Sequence, residues 1–384
     1  ALPQILPSSD PIPEAHLSIA EQSNTSVIFG DRLILKLFRK LEPGINPDIE
    51  IGRYLTGKQF THTPALAGSL EYKSDTGEAM YAGILQQFVP NQGDAWQYTV
   101  QSLREFFHQK GNTQQEPPLQ TQIHPLAFLW SGKAIDLEKN AGNYIAAARL
   151  LGTRTAELHQ SFTDFDSGPD FAPEPFTEAY RDRLYDSLQE QAKGTFHLLE
   201  QSGDGFSEEV RKDMARLLAL RPRIEAQINS LREIHVDTLR IRHHGDFHLG
   251  QVLCSGSDFL IIDFEGEPAR SLAERREKNL AIRDVAGMIR SFHYAAYATE
   301  VEIPDRLLLE KWATYWTTAV SAAYLDAYFQ TAGSTPSVPQ SDKERKSLLD
   351  TFLLQKALYE VTYELNNRPD WVSIPLRGVL SLFD

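Results

Sequence analysis

Hydrophobic and polar positions change their period along this chain. The early part carries short apolar runs with strand character. Ser26 to Phe29 and Arg32 to Phe38 are two such runs, separated by the hairpin signal Gly30-Asp31. Asn46-Pro47-Asp48 then offers a helix cap, a proline suited to the first turn and an acid that favours the dipole, so a helix is expected up to Gly57. Gly68 to Tyr72 and Met80 to Val89 are two further strand candidates, joined by the polar turn Lys73 to Glu78.

After Pro90 the period lengthens to that of helices. Ala95 to Lys110, Asn143 to Phe162, Thr177 to Gln201, Ser207 to Ile234, Arg283 to Thr299, Asp305 to Gln330 and Asp342 to Asn367 all have amphipathic or buried-helix patterns. Residues 111–122 read as a loop rich in Gln, Pro, Asn and Gly. Short β segments interrupt the helices at Leu239 to His243, Gln251 to Cys254 and Phe259 to Phe264. The expected organisation has three parts. Residues 1–20 form a proline-broken linker, 21–90 a small mixed lobe, and 91–384 a large helical lobe with a β hairpin inside it.

Composition narrows the function classes. The 384 residues carry a formal charge of −14 and a pI near 5.3, which argues against a nucleic-acid partner, since that needs a basic face. No apolar run approaches the roughly 18 residues that span a bilayer, so no membrane partner is expected. A single cysteine, Cys254, excludes an intramolecular disulfide framework and a multi-cysteine zinc site, in keeping with a cytoplasmic location.

The strongest chemical signal is His244-Gly245-Asp246-Phe247-His248-Leu249-Gly250-Gln251, followed by the run Phe259 to Phe264 and Glu265. Two apolar strands here present polar loops, with Asp246 at the entry and Asp263 at the exit. A glycine before Asp246 permits a tight turn that aims its carboxylate. The Gln251 amide oxygen and the Asp263 carboxylate are the hard oxygen ligands that Mg²⁺ prefers. Asp246 is then free to accept a proton from an attacking hydroxyl. A lone turn aspartate would be an ordinary solvated residue; the spacing of the set points to chemistry.

This segment resembles the catalytic stretch of the aminoglycoside phosphotransferase branch of the protein-kinase-like fold. More narrowly, the chain resembles bacterial maltokinases. The resemblance rests on Glu21 to Ser26, Asn46 to Glu50, Gly245 to Gln251, Asp284 to Phe292, and Tyr359-Glu360 through Asn367 to Trp371. It implies an α+β, bilobal fold with a mixed β/α N-lobe and a mainly helical C-lobe. It also implies ATP and Mg²⁺ as cofactors and maltose as the acceptor, giving maltose 1-phosphate for α-glucan synthesis. Maltokinases usually carry an N-terminal cap, so the short leading segment suggests a trimmed cap, or the maltokinase part of a fusion with trehalose synthase as partner.

The same resemblance assigns roles. Lys36, in a strand apolar on both faces, needs an anion. Glu50 on the following helix is its expected partner, and the pair would hold nucleotide phosphates. Ser23, Asn24, Thr25 and Ser26 occupy the place of a phosphate loop without a glycine, and Gln87 and Val89 the place where backbone groups meet adenine. For the sugar, Glu360, Glu364 and Arg368 share one helix face at i, i+4 and i+8, with Tyr359 able to stack on a sugar ring and His248 near Asp246. Two alternatives stay open: a kinase of the same fold acting on an aminosugar or aminoglycoside, and a non-catalytic kinase-like module.

Overall fold

The early apolar runs pair as one antiparallel sheet. Its strands are β1 (Ala15–Leu17), β2 (Thr25–Phe29), β3 (Leu33–Leu37), β4 (Leu66–Lys73) and β5 (Ala79–Gln87), in the order β1-β2-β3-β5-β4. In the computed structural model, described everywhere except residues 1, 8–10, 12, 19–23, 74–76, 114, 119–122, 132–136, 204, 301–305 and 384, this sheet belongs to the first of two units. That unit comprises Ala1–Tyr98 and Arg242–Lys278; the second comprises Thr99–Ile241 and Asn279–Asp384. The Asp246 and Asp263 segment therefore folds with the N-terminal sheet rather than with the helices that flank it in sequence.

Within the first unit, β3 is a central strand, and Lys36 stands in register with Ser26 on one side and Ile84 on the other. An edge position, which would let a lysine reach water, is thereby excluded. The helix Pro47–Gly57 links β3 to β4. Asn46 caps it by accepting the Asp48 N–H at 2.8 Å, and Ile49, Ile51 and Leu55 bury its apolar side. Phe38, Ile49 and Ile84 form a small core with Leu66 and Tyr81 packed against it. The hairpin of Val252–Ser255 with Asp258–Ile261 is pinned by reciprocal backbone bonds, Gln92 N–H to the Cys254 carbonyl and Cys254 N–H to the Gly93 carbonyl, both 2.9 Å. One local expectation changes. Ala15–Leu17, read as linker, adds β1 to the sheet edge beside β2.

The second unit is mainly helical. The apolar stripe over 207–234 predicts one helix, but two form, Glu208–Ala219 and Arg221–Ser230. Pro222 lacks an N–H and disfavours α geometry in the residue before it, so it opens a new helix instead of continuing the old one. Helix Asp342–Asn367 begins where expected, at a capping box of Ser341 and Glu344. Its inner face joins Leu188, Phe196, Leu217, Ile224 and Leu376 in one core through Leu354, Leu358 and Val361.

Helices Tyr144–Ser161 and Arg306–Ala332 meet at Gly152, where a β-carbon would lie 3.1 Å from the Tyr324 carbonyl carbon and the Tyr328 nitrogen. Main chain cannot yield as a side-chain tip can. Gly152→Ala is expected to destabilise this unit by about 1–3 kcal/mol, the usual cost of overpacking, read as a lowered melting temperature. An unchanged melt would mean that the helices part without cost. No helix among the described residues is long and apolar enough to cross a membrane.

Candidate active site

The loop that carries Asp246 is shaped by Gly245 and held by His244. Gly245 has φ +86°, a conformation in which a side chain would be strained, and an added β-carbon would lie 3.4 Å from the Gly266 Cα. His244, almost fully buried, donates from Nε2 to the Ile262 carbonyl at 2.9 Å. Its ring lies 5.1 Å from that of Phe247 and 5.0 Å from that of Phe264. One imidazole thus ties the Asp246 loop to the strand end that delivers Asp263. Nothing local in the sequence assigns this role to His244; the aromatic residues Phe247 and Phe264 are the available signal.

Asp246 is about one-fifth exposed, and its Oδ2 lies 4.0 Å from His248 Nε2. Gly250 N–H donates to His248 Nδ1 at 3.1 Å, which leaves the proton of a neutral ring on Nε2, facing Asp246. Asp263 adopts φ +67°, a left-handed conformation seldom taken by a non-glycine residue. Such strain persists only where neighbours hold it. Here Phe264, the next residue, donates its N–H to Asp48 Oδ1 at 3.0 Å. The main-chain carbonyl of Gln251 accepts from Ile262 N–H at 3.0 Å, which sets residue 251 beside the approach to Asp263.

Lys36 is not paired with Glu50. Its Nζ lies 3.9 Å from Asp263 Oδ1. Glu50 is committed elsewhere. Arg242 donates to its Oε2 at 2.8 Å, and Arg276 reaches Oε2 at 2.9 Å and Oε1 at 2.6 Å. Burial alone would raise the Glu50 carboxyl, but these two guanidinium groups outweigh it and hold the pKa below the ordinary value. The residue of the Pro47–Gly57 helix that reaches the site is Asp48, which the sequence reading treated only as a dipole-favouring acid. Asp48 is fully buried, and carboxylate oxygens of Asp48, Asp263 and Glu265 lie within 4.8 Å of one another.

The crowding shows in the proton affinities. Burial first, and then Asp263, raise Asp48, with Lys36 opposing. Burial, then the charges of Asp263 and Asp48, push the Glu265 carboxyl up to about 7. A carboxyl raised from 4.5 to about 7 on folding contributes stability that is complete below 4.5 and fades as pH rises through 7. In chelator-treated buffer, the denaturation midpoint should therefore lose stability between those limits, and Glu265→Gln should remove that part of the slope. An identical slope in the variant would contradict the assignment.

The remaining nucleotide candidates fall as follows. Ser23 lies outside the described residues. Thr25 and Ser26 belong to β2 rather than to a turn. Asn24 is buried, donates from Nδ2 to Glu265 Oε1 at 3.1 Å, and accepts at its carbonyl from Arg39 at 3.2 Å. Gln87 ends β5 with its N–H given to the Ala65 carbonyl at 2.9 Å, and the Val89 carbonyl accepts from Asn91 at 2.9 Å.

The sugar candidates on helix Asp342–Asn367 belong to the second unit. The expected helix face is present, and its carboxylates are already engaged. Arg290 donates to Glu360 Oε2 through Nε at 2.9 Å and Nη2 at 2.6 Å. Glu364, almost fully buried, accepts from Tyr294 Oη at 2.6 Å and from Arg368 at 2.6 and 3.0 Å. Tyr359 stacks on Tyr363, while the Arg368 guanidinium lies 5.4 Å from the Tyr363 ring and 5.3 Å from that of Trp371, which leaves an aromatic edge partly open.

No protein-family model matches the chain. It is 24% identical over 361 residues to the glucosamine kinase of Streptacidiphilus jiangxiensis, covering 93% of this chain and 70% of that protein. It is 25% identical over 366 residues to the glucosamine kinase of Mycolicibacterium smegmatis, covering 95% and 78%. A solved glucosamine kinase in complex with glucosamine, ADP and inorganic phosphate superposes with a TM-score of 0.75 at 21% identity, over 98% of this chain and 78% of the other. The chain shares the fold of that solved protein. The α+β, protein-kinase-like class expected from the sequence is thus the observed one. These relatives bear the name glucosamine kinase, and the narrower resemblance to maltokinases draws no support from them.

Proposed function

We propose that this chain is an ATP-dependent sugar kinase whose acceptor is an aminosugar, glucosamine before others. The observation that carries the reading is the convergence of Lys36 on Asp263 at 3.9 Å, in a unit where His244 locks the Asp246 loop to the same strand end. The names of the relatives supply the acceptor class. Maltose, and with it a trehalose synthase partner, gives way because the motif that suggested it, Tyr359 to Trp371, is engaged in its own ion pairs and stacking.

In this reading Asp246 takes the proton of the acceptor hydroxyl, with the His248 N–H directed toward it. Lys36 lies where it can exchange its contact with Asp263 for nucleotide phosphate oxygens. Asp263 and Gln251 would hold Mg²⁺, and the fit is good: the donor set is all oxygen, and Asp48 adds a buried Oδ2 without a hydrogen-bond partner among the described residues. The ion, when bound, neutralises charge on the transferred phosphoryl group. A panel of acceptors assayed for ADP release tests the substrate. Turnover with glucosamine well above that with maltose or an aminoglycoside is expected; turnover confined to maltose would overturn the aminosugar reading.

A further inference from the structure

Asp263 holds a left-handed backbone, φ +67°, and so rare a conformation persists only where neighbours over-determine it. One hold is the bond from Phe264 N–H to Asp48 Oδ1. The structure supplies a second on the far side of the turn. Arg275 Nη1 donates to the Glu265 main-chain carbonyl at 3.3 Å, and Nη2 donates to a carboxylate oxygen of Glu42. The arginine stem runs along the following residue, Gly266, where an added β-carbon would lie 3.5 Å from Arg275 Cβ and Cγ. The Arg275 side chain is only 6% exposed.

The elements that carry this arginine are fixed locally. Ser271 and Glu274 form a capping box that starts a single helical turn, Leu272–Arg275. Leu272 seats that turn on the loop after β3, where a β-carbon on Gly44 would lie 2.8 Å from its Cδ2. Glu42, in the same loop, gives one oxygen to Arg275 and the other to Lys40, the latter at 3.2 Å. All of these residues belong to the first unit. The neighbouring Arg276 grips Glu50 and so holds a helix, whereas Arg275 holds main chain two residues from Asp263. A lysine could serve Glu42 as a point charge, but meeting a carboxylate and a carbonyl from one side chain calls for a planar fork. The fork is aimed at some cost, since Arg275 Nε is left buried without a hydrogen-bond partner among the described residues.

We propose that Arg275 is a positioning residue for phosphoryl transfer: by holding the Glu265 carbonyl it keeps Asp263 in its left-handed turn, and Glu42 keeps Arg275 in place. The inference rests on the kinase reading, which gives Asp263 its task, and it adds a residue that acts only through the main chain beside that aspartate. Without the fork, Asp263 relaxes toward an ordinary backbone, and its carboxylate leaves the place where Lys36 Nζ meets it at 3.9 Å.

The full chain, held in excess over ADP and titrated with Mg²⁺ in a calorimeter, reads the placement of Asp263 without turnover. Arg275→Met keeps the stem on Gly266 and leaves Glu42 its contact with Lys40, but removes the fork. It should raise the Mg²⁺ concentration at half-saturation about 10- to 100-fold, the usual range for loss of a group that orients a metal ligand. The exchange of Glu42→Arg with Arg275→Glu separates positioning from stability, and serves if the first variant does not fold. It restores the ion pair, but a glutamate at 275 cannot donate to the Glu265 carbonyl. The melting temperature should therefore match wild type while the Mg²⁺ requirement stays raised. A wild-type requirement in folded Arg275→Met, or an exchange that restores the requirement together with the melt, would overturn the role. The two readings fail separately. Turnover of an aminosugar with a Mg²⁺ requirement unmoved by Arg275→Met removes the positioning role and leaves the kinase. A raised requirement in the variants, with no sugar turned over by the wild type, keeps the hold on Asp263 and removes the kinase.

Discussion

Asp246→Asn should lower kcat about 10²- to 10⁴-fold while the melting temperature stays at the wild-type value. That range is what a positioned general base contributes. The amide is nearly isosteric and cannot take a proton. Asp246 is partly exposed, and His248 Nε2 lies 4.0 Å from its Oδ2. The pattern across constants is as informative as the size. The Michaelis constant for ATP should be unaltered, because the proposed nucleotide contact is made by Lys36 and the proposed metal contact by Asp263, not by Asp246. Equal rates in the two proteins would favour the non-catalytic module.

Glu50→Gln should act in the opposite manner, by costing about 3–5 kcal/mol of stability, the usual penalty for breaking a buried pair from one side. Arg242 has a side chain only 2% exposed, and its Nη1 bond to Glu50 Oε2 is 2.8 Å. Without the carboxylate charge, the buried Arg242 guanidinium loses its ion pair with residue 50, and Arg276 loses a fork of two bonds. A large drop in the denaturation midpoint is the expected result. A variant that melts like wild type but loses its ATP dependence would restore Glu50 to the nucleotide site that the sequence assigned to it.

That reassignment shows where the sequence was legible and where it stopped. The Pro47–Gly57 helix could be read to both ends, because cap, proline and terminal glycine are local signals. Which of its acids faces Lys36 could not be read. Residues 48 and 50 are about 200° apart around a helix at 3.6 residues per turn, so the choice depends on a rotational phase set by packing of Ile49, Ile51 and Leu55. The Asp246 to Asp263 segment was legible because its chemistry is compressed into a turn and a short hairpin. Its placement with the N-terminal sheet was not, since nothing local encodes a backbone bond from Cys254 to Gly93. Glu360, Glu364 and Arg368 share the expected helix face, yet their partners Arg290 and Tyr294 lie 70 residues away in sequence. Long-range pairing of that sort decides whether a carboxylate is offered to a ligand or already satisfied.

The product of the reaction is the most direct test of the account. Phosphorus NMR of the protein with ATP, Mg²⁺ and glucosamine should show a new phosphomonoester resonance growing in step with ADP, and no such resonance with Asp246→Asn. ADP accompanied only by inorganic phosphate, or the same ester formed at the same rate by the variant, would contradict it.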